Sequence, residues 1–250
     1  MSEKEIFQRT ELLVGSEAMA AITRQRVLLV GVGGVGSWCA ESLVRSGIRH
    51  LTIVDCDKVC ASNINRQLMA TTSTVGLAKV DVLHRRLLDI NPEAEIVALE
   101  QLFSQDSAKG FELNDYDYVV DAIDSLRDKA LLIEMACASN AKLFSSMGAA
   151  LKMDPSRIRV AEFWKVTGDP LARALRNKFK KEKRFPRRKF QCVFSDELLV
   201  NHNVPLYNEE KPTMINKPQT NGTVAHITAI FGFTLAGLVV QDIIEKQYSR

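Results

Sequence analysis

The sequence has 250 residues, 46% of them apolar and 25% charged, with a formal net charge of +3. Length and apolar content suit one α/β domain with a buried core and an appended lobe, and the mild charge neither demands nor excludes a nucleic-acid partner. Five cysteines without paired CxxC spacing exclude a four-cysteine zinc site, and the polar start from Met1 to Glu5 is not a secretory leader, so a reducing cytoplasm is the expected compartment.

Glu5 to Ile22 is expected to form a helical N-terminal arm within residues 1–25, with Ile6, Leu12, Leu13 and Met19 on an apolar face. Val27–Val30 is short, β-branched and apolar, as a strand covered on both faces should be. Gly31, Gly33, Gly34 and Gly36 follow at once, and then a helix from Ser37 to Ser46. Glycines allow a tight strand-to-helix turn and close backbone approach to a phosphate, which the unpaired N–H groups of the helix start attract. Leu51–Val54 is a second buried strand. Asp55 at its end lies near the spacing of roughly 20 residues at which a carboxylate takes the ribose hydroxyls of a bound nucleotide.

That much fits any dinucleotide site, a nicotinamide-dependent dehydrogenase included. The residues after Asp55 separate the readings. Asn63, Asn65, Arg66, Gln67 and Lys79 come in quick succession, and Asp121 and Asp124 end another apolar run, Tyr118–Val120. Two cations and a carboxylate are the parts expected for Mg-ATP broken at its α-phosphate: the cations offset charge on the leaving pyrophosphate and the carboxylate holds the metal.

Val75 to Ile90 reads as a helix with Leu77, Val80, Leu83 and Leu87 on one face and Lys79 off it. Glu95–Leu99, Asp117–Ala122 and Leu143–Ala149 read as further strands, with a helix from Ser125, its expected cap, to Ser139. Strands alternating with helices of this length imply an α/β fold, a Rossmann-like, doubly wound, mainly parallel sheet with a C-terminal extension. Ligands in such sheets bind beyond the carboxyl ends of the strands, where Gly31–Gly36, Asp55, Asp121, Asp124 and Gly148 all fall. The expected organisation is an arm over residues 1–25, an ATP-binding part over 26–155, and a C-terminal part of the same domain over 156–250.

Ile158–Phe163 is a strand, and the segment Arg173 to Lys189 is densely basic, with Phe179, Phe185 and Phe190 interleaved. Such a run self-repels unless an anion faces it; cations can neutralise phosphates and aromatics can stack on splayed bases, so RNA contact is the reading. Cys192 sits among apolar neighbours and reads as a buried strand residue rather than a nucleophile. Asp196 to Asn221 reads as a long loop or lid, and His202 and His226 lack partners at metal-ligand spacing. Val224–Ile244 is at the borderline of a membrane span; polar residues within and after it favour a buried helix packed on the sheet, with membrane association disfavoured.

The glycine loop, the Asp55/Asp57 pair, Asn63-x-Asn65-Arg66-Gln67, Gly76-x-x-Lys79 and Asp121-x-x-Asp124 together resemble the ubiquitin-activating-enzyme-like superfamily. The C-terminal hundred or so residues, with Cys192–Ser195 and Gly222–Val224 leading into Phe231–Phe233, look like the tRNA threonylcarbamoyladenosine dehydratase family within it. The resemblance implies ATP and Mg2+, with ribose on Asp55, the nucleotide among Asp57, Asn63, Arg66, Gln67, Lys79 and Asp121, and the metal on Asp124. It implies a catalytic set of Arg66, Lys79, Asp124 and Arg9, the last reaching across a homodimer to the partner's ATP. It further implies tRNA as the anion facing the basic segment, and it leaves open a monovalent cation and a cysteine-desulfurase sulfur-acceptor partner. The implied reaction is dehydration of the threonylcarbamoyl group through an acyl-adenylate. Adenylation of a carrier protein's C-terminal glycine is the alternative; a dehydrogenase and a non-catalytic RNA-binding module are further rivals.

Overall fold

A computed structural model describes residues 3–203 and 221–249. Seven strands form one sheet: β1 Arg26–Val30, β2 His50–Asp55, β3 Glu95–Glu100, β4 Tyr118–Asp121, β5 Lys142–Ser146, β6 Ile158–Glu162 and β7 Gln191–Ser195. Their spatial order is β3-β2-β1-β4-β5-β7-β6, and every pairing is parallel except that of β6 with β7. The expected doubly wound, mainly parallel architecture is therefore the one observed.

The period-two alternation of β1 shows how the layers form. Val27 and Leu29 point into one core and Leu28 and Val30 into the other. The first core is covered by α3 (Ser16–Arg24), α4 (Gly36–Arg45), α5 (Lys79–Ile90) and α8 (Ala225–Tyr248), the second by α6 (Leu126–Ala138) and α7 (Pro170–Glu182). Sequence order reverses between β1 and β4, so a crevice opens beyond their carboxyl ends.

The arm is α1 (Glu3–Ile6), α2 (Gln8–Val14) and α3. It is tied to the amino-terminal end of the sheet: Glu3 accepts from Asn91 at 2.8 Å, and the Val14 carbonyl accepts from the Tyr248 hydroxyl at 2.5 Å. Val14 and Met19 are buried, but Leu12 and Leu13 are 81% and 86% exposed, contrary to the expected apolar face. Two adjacent residues cannot share a face with Ile6 and Met19 once Gly15 (φ 78°) breaks the arm into separate helices.

Other boundaries moved for local reasons. The helix expected from Val75 begins at Lys79, because Gly76 turns at φ 89° and leaves Leu77 exposed. The strand expected to reach Ala149 ends at Ser146. Ser125 starts α6 but does not cap it; its hydroxyl donates to Asp128 at 2.9 Å. The apolar C-terminal stretch forms α8, long and apolar enough to cross a membrane, with Ile227, Phe231, Leu235, Val239 and Ile243 buried in the core shared with α3 and α4. Gly232 permits that contact: a Cβ there would lie 2.5 Å from the Val35 carbonyl oxygen. Residues 204–220 of the expected lid lie outside the described residues.

Candidate nucleotide and RNA site

The glycine loop lies in the crevice at the β1/β4 switch. Gly31 takes φ 90° and donates to the Val54 carbonyl at 2.8 Å; a Cβ on it would lie 2.8 Å from the Ala122 carbonyl oxygen. At Gly36 a Cβ would lie 1.8 Å from the Gly31 carbonyl oxygen, so only glycine closes this turn. The loop thus opens directly into α4, whose positive dipole end can face an anion.

Asp55 at the end of β2 faces the loop. Its carboxylate accepts from the backbone N–H of Val32 at 2.8 Å and of Asp57 at 2.9 Å. Each oxygen keeps a further lone pair for a ribose hydroxyl. Burial pushes the Asp55 carboxyl above the usual range, against the opposing pull of nearby Lys79 and the two N–H groups.

The chain then pairs with itself. Lys58 bridges Ala78, Val59 donates to the Leu77 carbonyl at 2.8 Å, and Lys79 N–H donates to the Asp57 carbonyl at 3.0 Å. That folding back brings Lys79 to Asp57, where Nζ meets the carboxylate at 2.8 Å. Lys79, off the helix stripe in sequence, is buried.

Between these points the Asn63–Gln67 turn is fixed by its own side chains. Asn63 Oδ1 accepts from Cys60 N–H at 3.1 Å, and Arg66 Nη1 donates to the Ser62 carbonyl at 2.8 Å and to Asn65 Oδ1 at 3.0 Å. Gln67 is buried with Oε1 lacking a hydrogen-bond partner. Two residues outside the expected site set hold Arg66 in place: Trp38 Nε1 donates to its carbonyl at 3.1 Å and Thr228 Oγ1 at 3.3 Å. An apolar run interrupted by an indole or a hydroxyl facing the motif was the signal available.

Asp121 and Asp124 separate in role. Asp121 is completely buried, with Lys129 Nζ at 2.8 Å, the Ser145 hydroxyl at 2.6 Å and Ile123 N–H at 3.1 Å. It supports the turn after β4 from beneath rather than opening onto the crevice, a correction to its expected place among the nucleotide ligands. Lys129 also donates to the Ile123 carbonyl at 2.9 Å, so the pair clamps the turn that carries exposed Asp124. A lysine among the apolar positions of α6 was the sign of this clamp.

Arg9 is exposed on α2. The arm's ties to Asn91 and Tyr248 place it at the end of the sheet opposite the glycine loop, so the chain does not bring Arg9 to its own nucleotide site. Cys192 is fully buried in β7, and burial pushes its thiol well above the ordinary range, which removes the thiolate a nucleophile needs. His226 Nε2 lies 2.9 Å from the Met153 carbonyl oxygen.

The basic segment divides in two. Arg173, Lys180, Lys181, Lys183, Arg184 and Arg187 are exposed. Arg188, also exposed, is held by the protein itself: it donates to the carbonyls of Ala136 at 2.9 Å and Ala141 at 2.7 Å, closing the end of α6. Phe179 and Phe190 are buried against Phe163 and cannot stack on bases; Phe185 is 54% exposed.

A ThiF family model matches residues 7–249. The tRNA threonylcarbamoyladenosine dehydratase of Bacillus subtilis is 38% identical over 245 residues, covering 96% of this chain and 94% of its own. The crystal structure of the Escherichia coli tRNA N6-threonylcarbamoyladenosine dehydratase in complex with ATP superposes with a TM-score of 0.86 at 33% identity, covering 99% of this chain and 97% of that one. An adenylyltransferase and sulfurtransferase of Culex quinquefasciatus is 36% identical, but over only 56% of this chain and 32% of its own length.

Proposed function

Because the chain belongs to the ThiF family, we propose that it is an ATP-dependent dehydratase that cyclises threonylcarbamoyladenosine in tRNA, releasing AMP and pyrophosphate. One observation carries this reading: the likeness to the dehydratases runs through the C-terminal part, whereas the likeness to an adenylyltransferase and sulfurtransferase covers 56% of the chain. Carrier-glycine adenylation is accordingly disfavoured.

ATP is the co-substrate. Its phosphates lie on the glycine loop at the start of α4, and its ribose hydroxyls on Asp55. The buried Oε1 of Gln67, lacking a partner, supports a ligand donor at this place. Arg66 and Lys79 offset the charge that develops as the α-phosphate is attacked and pyrophosphate leaves. Lys79 exchanges Asp57 for phosphate in that step, and Asn63 keeps the Arg66 turn closed. Asp124 is the carboxylate suited to hold magnesium, which would supply further charge neutralisation; its exposure beside the glycine loop fits that ion.

The substrate carboxylate displaces pyrophosphate to form an acyl-adenylate. A ureido nitrogen of the same modified nucleoside then attacks the acyl carbon. The ring closes as AMP departs with a former carboxylate oxygen, and the nitrogen loses its proton, which accounts for the water removed. This second step is intramolecular and depends on positioning more than on strong base chemistry. It requires no cysteine, in keeping with buried Cys192.

The exposed cations of α7 and the following loop are the expected contact for tRNA phosphates. A homodimer is the expected assembly. Leu12 and Leu13, exposed on the same helix as Arg9, support a covered arm, and Arg9 would then serve the partner's site. The enzyme is expected in the cytoplasm, in keeping with its five free cysteines.

The test is a nucleoside mass spectrum of tRNA carrying the linear modification after treatment with the protein and Mg-ATP. Loss of one water that requires ATP and disappears in Lys79→Ala supports the reading. An unchanged nucleoside, with pyrophosphate formed only when a small carrier protein is added, would replace the substrate and keep the ATP site.

A further inference from the structure

A second surface lies at the opposite end of the sheet from the nucleotide crevice. β6 runs antiparallel to β7, with Glu162 paired to Gln191, so the chain leaves β6 beside the start of β7. There Phe163 is buried and stacks on Phe190 with ring centres 4.9 Å apart. Trp164 follows, edge-on to Phe163 at 5.1 Å, and its backbone N–H donates to Glu162 at 3.1 Å. Trp164 is 39% exposed, and its ring centre lies 6.1 Å from that of Phe185.

Phe185 reaches this position by a local reversal. α7 ends at Lys183 in the left-handed region (φ 54°), and the chain turns back toward β7. Two large aromatic side chains thus share an exposed patch on a rigid, buried aromatic base. Burying Trp164 further would have been the ordinary use of such a residue.

The surroundings are cationic. Lys165, Lys183, Arg187 and Lys189 lie within four residues of Trp164 or Phe185 along the chain and are exposed, as are Lys180 and Lys181 in the last turn of α7. Of the acids nearby, Glu182 pairs with Lys178 and Glu134 with Arg184, each at 2.5 Å, while Glu162 accepts from Trp164 N–H through one oxygen and keeps the other buried without a partner, so the cations outnumber the carboxylates here. Next to Lys189, a cavity of about 270 Å³ is lined by Lys142, Arg188 and Lys246 as well. Asp242, which pairs with Lys142 and Lys246, is the carboxylate that faces these two. A surface joining aromatic faces to excess positive charge suits a polyanion with exposed rings, which is the chemistry of unpaired nucleotides.

We propose that Trp164 and Phe185 form a stacking platform for an unpaired base of the RNA substrate, with the flanking lysines and Arg187 holding the adjoining phosphates. The inference rests on the tRNA reading above and extends it to a contact remote from the reaction. β7 spans five residues at about 3.3 Å each, so the platform and the ATP crevice are separated by about 15 Å or more. A bound RNA that reaches both is registered at two points. The platform contributes to affinity and to which RNAs are accepted, not to the chemical steps.

The experiment measures affinity for full-length tRNA bearing the linear modification, alongside ATP affinity, for wild type, Trp164→Ala/Phe185→Ala and the conservative Trp164→Phe/Phe185→Tyr. The alanine pair is expected to weaken tRNA binding about ten-fold or more, with ATP affinity unchanged, while the conservative pair stays within about three-fold of wild type. Wild-type tRNA affinity in the alanine pair overturns the inference. So does an equal loss in the conservative pair, or a parallel loss of ATP affinity, since each marks a merely structural role. A wild-type protein that binds tRNA through the platform yet removes no water from it would overturn the functional reading and leave the platform standing; one that binds no tRNA overturns both.

Discussion

Lys79 shows how far a side chain's role depends on what faces it. Buried beside Asp57 at 2.8 Å and acting on Asp55, it is a cation with few places to go other than a phosphate in the crevice. In the proposed reaction, Lys79→Ala removes charge that the transition state needs more than the ground state does. The expected loss in pyrophosphate release is on the order of a hundred- to a thousand-fold, measured as kcat with saturating ATP. Lys129 is a contrasting lysine. It is fully buried against Asp121, and Lys129→Met leaves a carboxylate without its counter-charge. That change is expected to cost about 3–5 kcal/mol in chemical denaturation, because an unpaired buried charge is worse than none. The Gly-x-x-Lys setting marks Lys79 in the sequence, and Asp121 is marked as well, but only the fold shows that Lys129 and Ser145 enclose Asp121 away from the crevice.

Helix α8 links the two ends of the molecule. Near its start Thr228 supports the Arg66 carbonyl, and near its end Asp242 accepts from the Tyr118 hydroxyl at 2.8 Å and pairs with Lys246 at 2.8 Å and with Lys142. Burial pushes the Asp242 carboxyl up, but the hydrogen bonds from Lys142, Lys246 and Tyr118 outweigh it and hold the group below its ordinary range. A depressed carboxyl contributes stability above its unfolded value of about 4, and that stability is lost as pH falls through the lower folded value. Asp242→Asn should therefore lower the melting temperature at neutral pH, and its difference from wild type should shrink below about pH 4. A difference that stays constant through acid would mean that the aspartate's charge is not what anchors the helix. The apolar run of α8 was legible in the sequence. Its place against α4 was not, because that depends on Gly232 meeting the Val35 carbonyl.

Across the whole molecule, charge is uneven although the net value is only +3. The proposed nucleotide site lies at the carboxyl ends of the strands, and the exposed cations run along α7 to the other end. If these cations neutralise phosphates, replacing Lys181, Lys183 and Arg187 by glutamine should flatten the dependence of log tRNA affinity on log salt by about 0.7–0.9 for each phosphate that loses its cation. ATP affinity should not move. An unchanged salt slope would remove α7 and its loop from the RNA interface.

The sequence by itself determined the strand–helix alternation, the glycine turn, Asp55 at a strand end and the clustered Asn63–Lys79 motif. Those follow from local periodicity and from backbone positions that only glycine can occupy. Tertiary structure alone decided which of the aromatic residues in the basic segment are core and which are surface, that Leu12 and Leu13 face outward, and that Arg9 lies at the far end from its own glycine loop. It also decided that Trp164, four residues beyond Val160 in β6, meets Phe185 across a chain reversal. Such pairings depend on which elements become neighbours in the sheet, and the non-sequential order β5-β7-β6 is not written in any single stretch of the chain.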